Sequence, residues 1–129
     1  MATPLRPVTR DIDLAQARDL LERTPRAALA LAGEHGALAQ PVRLVVQGGR
    51  YWVGLAPRAG QRPSPGQEVV LLVDEGVHWF DLRAIYIRGH AQPAAAPAGA
   101  EESRDWFEVS PVKTRARDYG AMREAADEL

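Results

Sequence analysis

Two arginines stand where strand alternation aims them away from a core. In the stretch Ala37 to Gln47, Val42, Leu44 and Val46 recur at every second residue, and Arg43 and Val45 fall between them. Further on, Ile85, Ile87 and Ala91 share one face with Gly89, while Tyr86, Arg88 and His90 share the other. A guanidinium is planar and gives two parallel hydrogen bonds to a phosphate or a carboxylate. Each arginine is therefore either an anion-binding group, a solvated surface residue, or the partner of an acid such as Asp74, Glu75 or Asp81. Arg58 and Arg62 add two cations in the segment Ala56 to Gly66. Other chemistries find less. His35, His78 and His90 have no acidic or histidine partner at helical spacing, so no zinc site is supported. The chain has no cysteine, which excludes disulfides, thiolate metal sites and a cysteine nucleophile. Ser64, Ser103 and Ser110 lie in no nucleophile-elbow context, and no catalytic residue is identified.

The elements that would position these residues are mostly strands. Val69 to Val73 is an unbroken aliphatic run too short for a buried helix, and with the alternating run from Leu82 it predicts a central hairpin around Asp74, Glu75 and Gly76. Ala27 to Ala32 and the return strand Ala37 to Gln47 flank the turn Gly33-Glu34-His35-Gly36. Gly48-Gly49 then leads into a third strand, Tyr51 to Leu55. Phe107 to Val109 reads as a short strand broken at Pro111, with Val112 to Tyr119 extending along the sheet. Helix is expected at the margins. Asp11 or Asp13 can cap a short one carrying Leu14, Ala17, Leu20 and Leu21, Glu101 to Trp106 suggests a helical turn, and a frayed acidic helix ends the chain. Ala56 to Gly66 holds three prolines and two glycines and excludes regular structure.

At 129 residues the chain is the size of one domain, expected to span 1–129 with a loose arm over 1–10 and a tail over 120–129. A net charge of −1 gives no reason to propose nucleic acid or an anionic membrane as partner. No stretch approaches a membrane span, and MATPLRPVTRD lacks an apolar signal core, so a cytoplasmic protein is expected. Of the 16 basic residues every one but Lys113 is arginine, beside abundant alanine, which composition bias would also produce. Short turns between five or six antiparallel strands favour a small closed barrel, because closure removes exposed edges.

In order and spacing, ALALAGEHG, PVRLVVQGGRYWVG, VVLLVDEG, the strand ending IRGHA and the closing EVSPVKTRARDYG resemble the split-barrel flavin and deazaflavin binders related to pyridoxamine 5'-phosphate oxidase. That resemblance implies a mainly β fold, a six-stranded antiparallel split barrel with peripheral helices. It also implies a homodimer with FMN, or a deazaflavin, across the interface, and hydride transfer to a small molecule. Arg43, Arg58, Arg62, Tyr86 and Arg88 are then the cofactor-binding candidates, with the phosphate near Arg58 and Arg62 and the ring between the Arg43 and Arg88 strands and the partner subunit. Trp52, Trp79, Tyr86, Trp106 and Tyr119 could stack on such a ring or pack an interface.

The chain also departs from the family. The segment that usually carries a Ser or Thr, a Lys or Arg and a short helix is here PRAGQRPSPGQ, which keeps Arg58 and Arg62 but not the helix that would cradle a phosphate. Arg117 stands where a tryptophan often precedes Asp-Tyr-Gly. Two alternatives stay open beside the flavin reading: a cofactor-free split-barrel dimer acting as a binding or interaction module, and a haem-binding relative.

Overall fold

The structure, a computed structural model, describes residues 10–13, 15, 19, 21, 26–57, 61–75 and 83–118. Seven strands follow in chain order: β1 (Arg10–Ile12), β2 (Arg26–Gly33), β3 (Gly36–Gln47), β4 (Arg50–Leu55), β5 (Gln67–Glu75), β6 (Arg83–Pro93) and β7 (Asp105–Asp118). All neighbours run antiparallel, in the order β1-β7-β4-β3-β2-β5-β6, and β6 pairs with β7 to close six strands into a ring. The expected split barrel is there, with almost no helix: among the described residues only Ala15, Asp19 and Leu21 are helical.

Alternation decides which side chains fill the barrel. Leu29 and Leu31 of β2, Val42 and Leu44 of β3, Val53 and Leu55 of β4, Val69, Leu71 and Val73 of β5, Ile85 and Ile87 of β6, and Phe107 and Val109 of β7 are buried in one cluster. A fully buried aliphatic side chain contributes about 1.5–3 kcal/mol relative to exposure. A slip of one residue in any strand would exchange that cluster for the outer face, so the core itself fixes the register. Arg43 on β3 and Tyr86, Arg88 and His90 on β6 accordingly point outward, as alternation predicts.

β7 holds the barrel together. Its first part, Asp105 to Val109, pairs with β4, its last part, Ala116 to Asp118, pairs with β1, and β6 runs along its other edge throughout. The break expected at Pro111 does not occur. The strand absorbs the proline at a bulge, where Arg88 pairs with Lys113 and Gly89 with Pro111, leaving Val112 as an extra residue that is 61% exposed. A proline has no N–H to donate, so a bulge is where a strand tolerates one.

Two local expectations change. Glu101 to Trp106 is not a helical turn: Glu102 and Ser103 form a turn, and Asp105 and Trp106 already belong to β7. Trp106 and Phe107 bury opposite faces of a strand. Arg10, expected in the loose arm, lies in β1 and pairs with Asp118, and Asp11 beside it pairs with Arg117. The rest of the 1–10 arm, the 120–129 tail and most of the helix expected from Leu14 to Leu21 lie outside the described residues.

Gln61 to Gly66 of the proline-rich segment are tied to the barrel. The Gln40 side-chain amide donates to Gln61 O at 2.8 Å, the Gly66 N–H to Ala91 O at 2.7 Å, and the Gln67 N–H to Ser64 O at 2.9 Å. Pro63 is buried. No helix among the described residues is long and apolar enough to cross a membrane.

Candidate functional site

Of the five residues singled out in the sequence, the four that are described do not converge in one chain. Tyr86 and Arg88 share a groove on the outer face of β5, β6 and β7. Arg43 sits on β3, three places round the six-stranded ring from β6 and so on the opposite side of the barrel. There its guanidinium meets the Glu101 carboxylate at 3.4 Å. Arg62 donates to Asp105 Oδ2 from Nε at 2.9 Å and to the Ala56 carbonyl oxygen from Nη2 at 2.9 Å. Arg58 lies outside the described residues. Arg43 and Arg88 can border one ligand only if a second protomer brings the two faces together.

The groove has a volume of about 360 Å³ and is lined by Val70, Tyr86, Arg88, Lys113, Arg115 and Arg117. Cross-strand register builds it. Val70 stands opposite Arg88, Arg88 opposite Lys113, and Tyr86 opposite Arg115. Residues directly opposite on antiparallel strands point to the same face, so three strands deliver these side chains to one surface. Lys113, Arg115 and Arg117 follow at period two along β7 and form its basic wall. The Arg117 guanidinium lies over the Tyr86 ring, 5.9 Å from its centroid. Arg88 Nε is 3.6 Å from Glu68 Oε1, in a pair exposed on both sides.

Gly89 makes this arrangement possible. A Cβ at Gly89 would lie 2.2 Å from Ser110 O and 2.9 Å from its carbonyl carbon. The backbones of β6 and β7 approach this closely where the bulge swings Lys113 into line with Arg88. The glycine in IRGHA is thus a packing requirement of the groove.

A second hollow of about 560 Å³ is lined by Arg62, Pro93, Ala94, Arg104, Trp106 and Phe107 among others. Its cations face acids. Arg62 is held by Asp105, and Arg104 Nε donates to Glu101 Oε2 at 3.2 Å. Trp106 Nε1 donates to the Glu101 carbonyl oxygen at 2.7 Å, which fixes the indole as part of the wall.

Nearby, Arg50 donates to both oxygens of Glu108, at 2.9 and 2.6 Å, and covers the Trp52 ring at 4.7 Å from its centroid. The hydrogen bonds from Arg50 hold the Glu108 carboxyl below its usual value; burial opposes them, and Coulomb attraction to Arg50 adds to them. Trp52 and Trp106 therefore serve packing on the outer face, while Trp79 and Tyr119 lie outside the described residues. His35 and His90 are exposed, and among the described residues no group of three or more metal-ligating side chains could hold an ion.

What sequence reading missed was the basic wall. Lys113, Arg115 and Arg117 alternate visibly in VKTRARD, but the partner face across from them is set by β6–β7 closure and is invisible to local pattern.

A planar flavin phosphate asks for a slab beside its ring and cations for its phosphate, and the groove offers the Tyr86 ring, the Val70 side chain and four cations. The donor set fits. No protein-family model and no curated protein matches the chain. Solved structures do resemble it. The FAD binding protein from Mycobacterium smegmatis is 16% identical with a TM-score of 0.62, the match covering 85% of this chain and 97% of that one. An FAD-binding protein from Mesorhizobium loti is 13% identical, TM-score 0.63, over 85% and 96% of the two chains. A protein from Corynebacterium glutamicum provisionally described as a pyridoxamine 5'-phosphate oxidase is 12% identical, TM-score 0.62, over 85% and 97%. At these identities the likeness is one of fold, and the chain has the split-barrel fold that flavin-binding and pyridoxamine 5'-phosphate oxidase-like proteins share.

Proposed function

We propose that the protein binds a flavin-type cofactor, FMN or a deazaflavin, as a homodimer and works in the cytoplasm as an oxidoreductase on a small molecule. The observation that carries this reading is the groove in which Tyr86 and Val70 stand beside Arg88, Lys113, Arg115 and Arg117. The fold supports it, since similar structures include proteins named for binding FAD. A volume of about 360 Å³ is at the lower end for a small-molecule site, so part of a flavin nucleotide would rest on a second protomer. A dimer would also be the way to bring an Arg43 face to an Arg88 face. A bound flavin supplies the hydride chemistry. The chain's own part is to place the ring against Tyr86, to meet its negative charge with the basic wall, and to exclude water where the partner closes over it.

The second reading, a cofactor-free dimer acting as an interaction module, has its own supporting observation: Arg43 and Arg62, two of the expected cofactor ligands, are engaged by Glu101 and Asp105. One experiment separates the two. Purified protein is incubated with FMN, with a deazaflavin and with haem in turn, then passed through gel filtration with absorbance and fluorescence detection. The flavin reading expects FMN or the deazaflavin to elute with protein at dimer size, with its fluorescence quenched. Retention of none leaves the interaction module, retention of haem alone replaces the flavin, and elution at monomer size removes the shared site.

A further inference from the structure

Part of the barrel is apolar on the face it leaves outside. In an antiparallel sheet with one solvated face, apolar and polar side chains alternate, as on β6, where Ile85 and Ile87 are buried and Arg88 and His90 are exposed. β2 and β5 do not alternate in this way. Between the inward Leu29, Leu31, Val69 and Leu71, the outward positions hold Ala28, Ala30 and Ala32 on β2 and Val70 and Leu72 on β5. β3 adds Ala37, Ala39 and Pro41, opposite Ala32, Ala30 and Ala28. Ala32, Ala37, Ala39 and Pro41 are exposed and the other four are half-buried. An unbroken apolar run belongs to a strand covered on both faces, and the barrel core covers only one.

We propose that this outer face of β3, β2 and β5 is where a second copy of the chain docks, sheet on sheet, about a two-fold axis running along β2. The proposal deepens the homodimer part of the function proposed above and rests on that reading for the second copy alone; the flavin plays no part in it.

Register decides which occupant fits. Pro41, Ala28 and Leu72 stand level across the three strands, and Ala39, Ala30 and Val70 form the next row. A two-fold along β2 lays β5 of one copy over β3 of the other and keeps each row level. Pro41 then faces the partner's Leu72, Ala39 faces the partner's Val70, and the alanines of β2 face their own counterparts. Small side chains meet larger ones in both outer columns, which lets two sheets interdigitate at a spacing of about 10 Å. Charge agrees with shape. One row beyond Pro41 and Leu72, Arg43 stands on β3 and Asp74 on β5, so the same operation sets Arg43 against the partner's Asp74 at two places in the dimer. Asp74 is exposed, and no ion pair among the described residues engages it. Arg43 gives Glu101 only Nη2, at 3.4 Å, and keeps its other donors. A two-fold through Ala30 across the strands would instead place Leu72 on the partner's Glu68. Val70 also lines the groove of Tyr86 and Arg88, so the docked copy's β3 borders that groove.

The test is sedimentation velocity of the full chain, without added cofactor, over a range of protein concentrations. The native chain is expected to sediment as a dimer. Ala30→Glu sets two carboxylates against each other at the centre of the face and should give a monomer. Asp74→Arg sets arginine against arginine and should raise the dimer dissociation constant at least about tenfold, since like charges across an interface repel. Arg43→Asp/Asp74→Arg exchanges the two charges and should bring the constant back to near the native value, which a merely structural role of either residue would not do. Val112→Glu, at an exposed apolar residue outside this face, should sediment as the native chain does. Circular dichroism confirms that each variant is folded; if Ala30→Glu is not, the charge exchange is read alone.

Each outcome bears on a different part. A dimer that survives both Ala30→Glu and Asp74→Arg overturns this face and leaves the homodimer to another surface. A dimer lost in Asp74→Arg and not restored by the exchange overturns the two-fold along β2. A native chain that is monomeric overturns this face and the shared flavin site together. A dimer that depends on Ala30 and is restored by the exchange, but retains neither FMN nor a deazaflavin, keeps the face and removes the cofactor.

Discussion

Trp106 and Gly54 face each other across β7 and β4, and the indole occupies the place a Gly54 side chain would need. A Cβ there would be 2.8 Å from Trp106 Cη2 and 2.9 Å from Cζ3. The indole cannot simply swing aside, because Nε1 donates to the Glu101 carbonyl and Arg104 Nη1 reaches the Gly54 carbonyl oxygen at 3.3 Å. Through these contacts the connection after β6 is fastened to the outer face of β4. Gly54→Ala is expected to lower stability by about 1–3 kcal/mol, the range for overpacking a close-packed position. Urea denaturation measures it. Adding Trp106→Phe should recover part of the loss, since residues in contact are not additive; a Gly54→Ala variant as stable as the native protein would mean that the indole moves freely.

The Arg50 and Glu108 pair predicts the sign of a pH effect. Glu108 is more acidic in the folded chain than in the unfolded one, chiefly because it accepts hydrogen bonds from Arg50. Its contribution is therefore present above the unfolded glutamate value, near pH ~4.3, and is lost as pH falls through the lower folded value. The pair is exposed, so the effect is small. Glu108→Gln should be less stable than the native chain at neutral pH, and the gap between their urea midpoints should close on acidification below pH ~4. A gap that is constant with pH would assign the loss to packing on Trp52 instead.

How much of this could be read from the chain depends on the distance over which each feature acts. Ile85, Ile87 and Ala91 against Tyr86, Arg88 and His90 is a local alternation, and the barrel respects it. The β2–β3 and β3–β4 turns carry glycines with positive φ, Gly36 at 114° and Gly48 and Gly49 at 57° and 75°, so the meander was legible from turn chemistry. The site was less so. Arg62 meets Asp105 across 43 positions of sequence and Arg43 meets Glu101 across 58, and nothing local reports such pairs. Lys113, Arg115 and Arg117 needed the β6–β7 closure to become a wall opposite Arg88. Pro111 looked like a strand end because a proline removes a ladder hydrogen bond, and the bulge that accommodates it is a property of two strands together.

Arg83 at the start of β6 links two parts of the chain. It donates to Asp19 Oδ1 and Oδ2 at 3.2 and 2.9 Å, and also to Glu75 at the end of β5. Those hydrogen bonds, from Asp19 first and Glu75 next, raise the arginine above its ordinary value, so it stays charged throughout the working range. Arg83→Met would leave two carboxylates in proximity without the shared cation. A loss of about 1–3 kcal/mol at neutral pH is expected from hydrogen bonds to charged groups. The deficit should shrink as pH falls into the carboxylate range, where neutralising Asp19 and Glu75 removes their repulsion. The urea midpoint of Arg83→Met against the native chain, followed with pH, measures this, and a deficit that grows on acidification would contradict it.

Among the described glycines, the one with the closest backbone neighbour predicts the largest effect. At Gly89 a Cβ would stand 2.2 Å from Ser110 O and 3.1 Å from Pro111 Cα, against backbone on both counts. No rotamer change relieves that clash; β6 and β7 would have to separate at the bulge. Separation would cost ladder hydrogen bonds along the pairing that closes the barrel and would take Lys113 out of line with Arg88. Gly89→Ala is therefore expected to destabilise by about 3 kcal/mol or more, beyond the ordinary range for an exposed-strand substitution. Gly36→Ala is the fitting comparison, because its cost comes from backbone strain at φ 114° with no atom within 4 Å of the new Cβ. Gly36→Ala should cost about 1–3 kcal/mol by the usual cost of a strained dihedral, read from the urea midpoint. Gly89→Ala, if it folds, should have the lower urea midpoint of the two. Equal stability of the pair would show that the strands part without penalty, and the bulge could then not be what aligns the basic row.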